Sequence, residues 1–151
     1  MRFFFYGTLL DHDVTALVLG RRLPPKAWVP AILPGHARRR AQGVSYPVLA
    51  RDPRSEAAGA VVGGLSRRDV ARLVAYEGPR YRISPLKVKT PSGLQSVSVF
   101  EPIDGGFQGA KGAKGAKGAS WDLTTWQRHD KRTFLARLGR VFSAHPAYST
   151  P

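Results

Sequence analysis

Apolar and polar residues alternate in short runs that predict a mixed fold of helices and strands. The first run, Arg2 to Tyr6, is apolar and β-prone and breaks at Gly7, which is typical of a buried strand ending in a turn. A short helical pattern follows and ends at Gly20, and either Asp11 or Asp13 can cap its start. Its apolar positions at helical spacing are Val14, Leu17 and Val18.

The next part of the chain predicts β structure. From Pro24 to Pro34, apolar residues alternate with prolines, which cannot donate to a β-ladder. This pattern argues against a central sheet position and favours an edge strand or an irregular crossing. Two strand-like runs follow, Tyr46 to Ala50 and Ala57 to Leu65, and the turn-forming residues 52 to 55 between them predict a hairpin.

The clearest helical pattern lies in the middle of the chain. Ser66 can cap its start, and Asp69 stands at the reciprocal position of a capping box. The helix should end at Gly78 and Pro79, which places Glu77 in its last turn. Its predicted apolar stripe consists of Val70, Leu73 and Val74.

The last third of the sequence predicts a hairpin and a final helix. The strand-like runs Tyr81 to Lys89 and Leu94 to Pro102 flank a turn signal at residues 90 to 93. Asp122 can cap the final helix, and the tail from Ala144 should be loose. The apolar positions of that helix are Leu123, Trp126, Phe134, Leu135 and Leu138.

Residues 105 to 119, between the last strand and the last helix, are dominated by glycine and repeat the triplet Ala-Lys-Gly. Three proline-free triplets cannot support a collagen helix, so the segment predicts a flexible cationic loop. The rest of the chain lacks a regular βαβ period. We therefore expect one domain over residues 1–151, an α+β fold with a small, mostly antiparallel β-barrel or sheet and flanking helices.

Composition narrows the possible functions. Cysteine is absent, which excludes disulfides, thiolate metal sites and a cysteine nucleophile. The apolar run at the N-terminus is too short for a signal peptide, and no stretch approaches the roughly 20 apolar residues of a membrane span, so we expect a cytoplasmic protein. The four histidines are scattered without metal-binding spacing, and we expect no metal and no catalytic histidine.

The formal net charge is +14, from 24 Lys and Arg against 10 Asp and Glu. Such a charge raises the possibility of nucleic-acid binding, but the basic residues are spread along the chain without a base-reading element. The same charge can steer small anionic substrates. The alternative hypothesis is a non-catalytic binding protein of the same fold, whose basic surface holds an anionic partner such as nucleic acid. The sequence does not indicate an oligomeric state.

Four short segments stand out, and their order along the chain is informative. They are a Tyr-Gly-Thr-Leu turn after the first strand, a Tyr-Pro pair in a strand region, a Tyr-Glu-Gly-Pro-Arg-Tyr segment at a helix end, and a late helix containing tryptophan. They lie at Tyr6 to Leu9, Tyr46 to Pro47, Tyr76 to Tyr81, and Trp121 to Leu138. In this order they resemble the γ-glutamylcyclotransferase-like (AIG2-like) superfamily, over nearly the whole chain except the glycine- and lysine-rich insert.

This resemblance implies a reaction in which the α-amine of a γ-glutamyl group attacks its own γ-carbonyl, releasing an amine and 5-oxoproline. The substrate would be a small γ-glutamyl compound, and no cofactor is required. By resemblance, Glu77 is the catalytic acid/base and Tyr81 a further substrate contact. The residues expected to bind the glutamyl group are Tyr6, Gly7, Thr8 and Leu9, with Thr8 in place of the serine of many relatives.

The residues support these roles independently of the family, although other interpretations stay open. A carboxylate in the last turn of a helix faces the negative end of the helix dipole, and burial would raise its pKa further. Backbone N–H groups in a tight turn after a strand can hold a carboxylate or an oxyanion. The alternatives are a solvated Glu77, a purely structural turn at Tyr6 to Leu9, and a different chemistry in the same pocket. The insert could cover the pocket mouth or be a surface loop.

Overall fold

Five strands close into a barrel in the computed structural model, which describes residues 1–40, 44–103 and 120–144. The strand order around the barrel is β1-β3-β2-β4-β5, and β1 completes it by pairing antiparallel with β3 and parallel with β5. The other recorded pairings are antiparallel, which confirms the expected α+β fold. The strands are β1 (Phe3–Phe5), β2 (Trp28–Arg40), β3 (Pro47–Val62), β4 (Tyr81–Thr90) and β5 (Gly93–Pro102).

Helices cover one side of this barrel, and three of them begin at the predicted caps. The Asp11 carboxylate accepts hydrogen bonds from two amides of the first turn of α1. Ser66 and Asp69 form the reciprocal capping box of α2. The Asp122 carboxylate accepts a hydrogen bond from the Thr125 amide at the start of the third helix. The helices are α1 (His12–Leu19), α2 (Arg67–Glu77), α3 (Leu123–His129) and α4 (Lys131–Ala144), with 3₁₀ turns at Thr8–Leu10 and Pro25–Ala27.

The alternation of side chains along β1 separates two cores. Phe3 and Phe5 pack with buried residues of the helices, including Leu73 and Trp126. Phe4, on the opposite face, packs with residues of the other four strands and so fills the barrel. Burying a side chain of this size stabilises the fold by about 1.5–3 kcal/mol, so the three-residue strand anchors both cores.

The prediction that Pro24 to Pro34 avoids a central sheet position is wrong. β2 pairs with β3 along its length and with β4 at Ile32, opposite Lys89. A closed barrel has no edge strands, so every strand needs two neighbours even when it contains proline. The register of β2 shifts just after Pro34, at Gly35 with φ of +72°, and this bulge accommodates the irregular segment.

The prediction of a hairpin at residues 52 to 55 is also wrong, because β3 is one continuous strand from Pro47 to Val62. The predicted turn chemistry is nevertheless present: Asp52 Oδ1 accepts a hydrogen bond from the amide of Arg54. These residues lie opposite Gly35, where the β2–β3 register shifts. The local turn is thus absorbed into the bulge, and β3 continues along β2.

The hairpin predicted around residues 90 to 93 is confirmed by β4 and β5. The prediction of a single final helix is wrong, because α3 and α4 are separate helices. α3 ends at His129 and is capped by Asp130, whose amide donates to Trp126 O and whose carbonyl accepts from the Phe134 amide. Aspartate with φ of −120° interrupts the regular helix there. The predicted insert at 105–119 and the tail beyond Ala144 lie outside the described residues.

Two predicted apolar stripes contain an exposed member. Leu17 in α1 and Val74 in α2 are 38% and 46% exposed. On α2, polar residues are buried instead: Asp69, paired with Arg21 at 2.5 Å, and Arg72. Spacing alone does not distinguish these positions, because an ion pair lets a charged residue occupy the inner face of a helix.

Candidate active site

A cavity of about 280 Å³ lies where the end of β1, the end of α2 and the start of β4 meet the last helix. The six residues predicted to form the site come from two segments that are far apart in the sequence. All six line this cavity: Tyr6, Gly7, Thr8, Leu9, Glu77 and Tyr81. Its remaining walls include aromatic and aliphatic residues that were not predicted to belong to the site, Tyr76, Phe100, Phe134, Leu138, Val141 and Phe142 among them.

The turn after β1 is a 3₁₀ turn packed against the start of β3. Its internal hydrogen bonds run from Leu10 N to Gly7 O at 2.9 Å and from Asp11 N to Thr8 O at 3.0 Å. The amides of Thr8 and Leu9, at the start of the turn, do not donate to these internal hydrogen bonds. Close packing favours glycine at position 7, since a Cβ there would lie 3.0 Å from Pro47 Cγ.

Thr8 and Tyr76 join this turn to α2. Their hydroxyl oxygens lie 2.5 Å apart in a hydrogen bond in which either group can donate. The Tyr76 ring also meets Phe142 of α4 edge-on, with centroids 6.2 Å apart. Tyr76 therefore connects the polar and the apolar parts of the cavity wall. Tyr76 was part of a sequence motif but was not predicted as a site residue. Its position next to Glu77 could have indicated that role.

Glu77 is the last residue of α2, which Gly78 terminates with φ of +83°. The side chain is half-buried, in contact with the cavity but enclosed by its walls. Burial raises the pKa of Glu77 to about 8. Among the described residues, no lysine, arginine or histidine forms an ion pair with this carboxyl group, so no partner offsets the effect of burial. A carboxyl group titrating near neutral pH can accept and return a proton.

Two tyrosines flank Glu77 as hydrogen-bonding groups. Burial raises the pKa of both Tyr6 and Tyr81 above the ordinary value, and the nearby Glu77 carboxylate raises it further. Both phenols therefore stay protonated at neutral pH. The Tyr6 hydroxyl donates to the carbonyl of Phe100 at 2.7 Å, which fixes its ring at the cavity wall.

The Tyr-Pro segment is held in place by the two tryptophans that follow the insert. Trp121 Nε1 donates to the Ser45 carbonyl at 2.8 Å, and Trp126 Nε1 to Ser45 Oγ at 3.3 Å. Tyr46 and Pro47, the next residues along the chain, line the cavity. These contacts explain how a late helix shapes a site built mostly from the first half of the sequence.

A second polar cluster, at one end of the barrel, was not anticipated from the sequence. Glu101 is 6% exposed and accepts hydrogen bonds from Arg51, Arg82 and Ser84. Although burial would raise its pKa, these hydrogen bonds outweigh that effect and hold it below the ordinary value. Glu101 therefore stays charged, unlike Glu77, and does not line the cavity.

No group of three or more His, Asp or Glu side chains in residues 1–40, 44–103 and 120–144 is arranged to hold a metal ion. Over the same residues, no helix has the length and apolar character needed to cross a membrane.

The sequence profile described as "Gamma-glutamyl cyclotransferase, AIG2-like" matches residues 3–122. The match covers most of the chain and includes every residue of the predicted site. This chain belongs to the gamma-glutamyl cyclotransferase, AIG2-like family. It is similar to AIG2-like protein A of Arabidopsis thaliana, with 25% identity over 138 residues, which span 91% of this chain and 79% of the relative.

Solved structures support the same fold. The solution structure of an Arabidopsis thaliana protein aligns with a TM-score of 0.63 and 25% identity, covering 94% of this chain and 90% of that protein. A gamma-glutamyl cyclotransferase specific to glutathione from yeast aligns with a TM-score of 0.51 and 14% identity, covering 97% and 88%. The second similarity shows the fold alone.

Proposed function

We propose that this protein is a γ-glutamyl cyclotransferase-type enzyme that converts a γ-glutamyl amide to 5-oxoproline and a free amine. The observation that carries the proposal is the half-buried Glu77, whose pKa of about 8 places its titration near neutral pH, in a cavity shared with the turn at Thr8. Family membership supports the reaction class. The yeast protein of the same fold is named for this type of activity.

The reaction needs proton transfer and folding of the substrate. The α-amine nitrogen forms a bond to the γ-carbonyl carbon, and the bond from that carbon to the departing nitrogen breaks. The attacking α-ammonium nitrogen loses two protons in becoming the lactam N–H. The departing nitrogen gains one proton to leave as an amine and a second in solution. Glu77 accepts a proton from the attacking nitrogen and delivers it to the departing one.

The cavity walls supply positioning. The nucleophilic α-amine and the γ-carbonyl belong to one substrate. Holding the glutamyl chain in a bent conformation therefore brings the two reacting atoms together, and the protein need not supply a nucleophile. We assign this role to the turn at Tyr6 to Leu9, whose Thr8 and Leu9 amides can hold the α-carboxylate of the glutamyl group. Tyr81, protonated and beside Glu77, is a donor for the oxygen of the tetrahedral intermediate.

The test is release of 5-oxoproline from a panel of γ-glutamyl dipeptides and γ-glutamyl amines. Glu77→Gln keeps the size of the side chain but cannot carry the proton, and we expect turnover to fall by about 10²–10⁴-fold with the fold intact. Glu56→Gln changes an exposed glutamate elsewhere and is the matched control. Full activity in Glu77→Gln would remove Glu77 from the mechanism.

The alternative of a binding protein rests on the net charge of +14 and stays a prediction. Absence of turnover with every substrate, together with tight and strongly salt-dependent association with nucleic acid, would favour it.

A further inference from the structure

The cavity has two chemically different ends, and only one of them suits a charged group. We infer that the amine released by this enzyme is apolar and uncharged apart from its amino group, an alkyl or aryl amine rather than an amino acid or peptide with a free carboxylate. This inference rests on the proposed function and specifies its substrate class.

The polar end accounts for the glutamyl part of the substrate. Glu77 and the Thr8–Tyr76 hydrogen bond lie there, beside the first amides of the 3₁₀ turn. The α-amine and the α-carboxylate of a γ-glutamyl group need polar partners such as these. We place the glutamyl group at this end and the group attached to its γ-carbonyl against α4, which forms the apolar part of the lining.

The wall formed by α4 is apolar from its buried part to the surface. Phe142 is buried, Phe134 is half-buried, and Val141 is 60% exposed at the surface. The Phe142 ring packs edge-on against Tyr76, so the apolar wall begins next to the polar end. An apolar leaving group would gain from contact with this surface through its whole length.

Among the described residues, the part of α4 that lines the cavity offers no cationic partner to a carboxylate on the leaving group. Among the described residues that line the cavity, none is lysine, arginine or histidine. The nearby Arg38 is engaged elsewhere, because its Nη1 donates to the Tyr6 carbonyl at 3.3 Å and its guanidinium stacks over Trp121. Moving an unpaired carboxylate from water to such a surface is unfavourable.

The size of the cavity agrees with a compact leaving group. Its volume of about 280 Å³ is near the lower end of the roughly 300–1,000 Å³ found for ligand pockets. A γ-glutamyl group fills part of that space. The remainder suits an amine with a short apolar substituent better than a dipeptide.

The experiment compares substrates that differ only in the charge of the leaving group. We would measure kcat/KM for 5-oxoproline release from γ-glutamyl-isobutylamide and γ-glutamyl-valine, whose leaving groups share a branched apolar shape but differ by one carboxylate. We expect the amide to be preferred by at least ten-fold. The preference should then change in Val141→Lys, which places a cation on the exposed end of the apolar wall.

Val141→Lys should reduce the preference for the uncharged substrate several-fold by giving the carboxylate of γ-glutamyl-valine a partner. Ala136→Lys adds the same charge to an exposed position of α4 outside the cavity lining and should leave the preference unchanged. An equal effect of both variants would indicate general charge rather than the cavity wall and would overturn the inference.

The outcomes separate the inference from the proposed function. Turnover with γ-glutamyl-valine equal to or better than the amide would overturn the inference and leave the cyclotransferase activity established. No 5-oxoproline from either substrate, or from the wider panel, would overturn both. Preference for the amide that disappears in Val141→Lys would support both.

Discussion

The hydroxyl groups of Thr8 and Tyr76 are 2.5 Å apart, so a hydrogen bond ties the turn after β1 to the last turn of α2. Glu77 follows Tyr76 directly in the sequence. The spacing between the proposed glutamyl-binding turn and the proposed acid/base therefore depends on a contact between residues that are 68 positions apart. Disturbing this contact should affect catalysis even though neither hydroxyl group transfers the proton.

Thr8→Val removes this hydrogen bond while keeping the shape of the side chain. The Tyr76 hydroxyl would then lose its Thr8 partner in a partly buried setting, at a cost of about 1–3 kcal/mol. We expect kcat/KM to fall by about ten-fold or more. Thr8→Ser, which retains the hydroxyl, should recover most of it. Combining Thr8→Val with Tyr76→Phe should add little to either change alone, and additive losses would show that the two hydroxyls act separately.

The pH dependence of the activity should follow Glu77. Its pKa of about 8 means that the carboxylate, the form able to accept a proton, is a minority species at pH 7. We expect kcat/KM to rise with pH up to about 8 and then to level off or fall as other groups titrate. A flat profile between pH 6 and 8 would show that Glu77 does not limit the reaction.

The same group should make stability depend on pH. The pKa of Glu77 is raised from 4.5 to about 8 in the folded protein. Between these pH values unfolding releases a proton, so the free energy of unfolding decreases as the pH rises. The loss is on the order of a few kcal/mol. Glu77→Gln cannot ionise and so lacks this loss of stability. Denaturant unfolding should therefore show the variant gaining stability relative to the native protein as pH rises from 5 to 8. A constant difference would contradict the shift.

Glu101 should show the opposite sign. Hydrogen bonds from Arg51 and Arg82 hold its pKa below the ordinary value despite burial. Its stabilising contribution is present above the unfolded pKa and is lost as pH falls through the folded pKa. Glu101→Gln should destabilise the fold by about 1–3 kcal/mol at pH 7 and by less near pH 3. Urea unfolding at the two pH values measures this, and an undiminished difference at pH 3 would contradict it.

Gly7→Ala tests the packing of the turn. The added Cβ would lie 3.0 Å from Pro47 Cγ, so the turn or the proline ring must move. We expect a loss of about 1–3 kcal/mol in stability and a marked loss of activity, because the amides of the turn shift with it. Gly63→Ala is the matched control, since its Cβ would meet Arg2 Cγ at an ordinary 3.7 Å. Equal effects of the two changes would argue against a special role for Gly7.

The parts of the site that sequence predicted best are those encoded locally. Tyr6 to Leu9 and Glu77 stand at element ends marked by glycine, and the capping box at Ser66 fixes where α2 begins. The apolar wall of α4 was not predicted as part of the site, because its residues have the same spacing as any core-facing helix. The role of Tyr76 was missed for a similar reason, since its partner Thr8 lies in a distant segment.

The errors in the fold have one physical origin. Pro34 and residues 52 to 55 give strong local signals for edges and turns, and local signals do not reveal that the sheet closes on itself. The strand order places β2 between β3 and β4, and the bulge opposite Gly35 absorbs the extra residues of β3. The Glu101 cluster depends on that closure as well, because it gathers side chains from β3, β4 and β5.

β1 joins the barrel through partners far away in the sequence, Phe3 opposite Val62 on one side and Ser98 on the other. Contacts of such long range carry a large loop-closure cost and tend to form late in folding. The proposed glutamyl-binding turn directly follows β1, so it can take its final position only when β1 has entered the sheet. During refolding, recovery of the proposed activity should therefore coincide with the slowest structural phase, and 5-oxoproline release would report barrel closure.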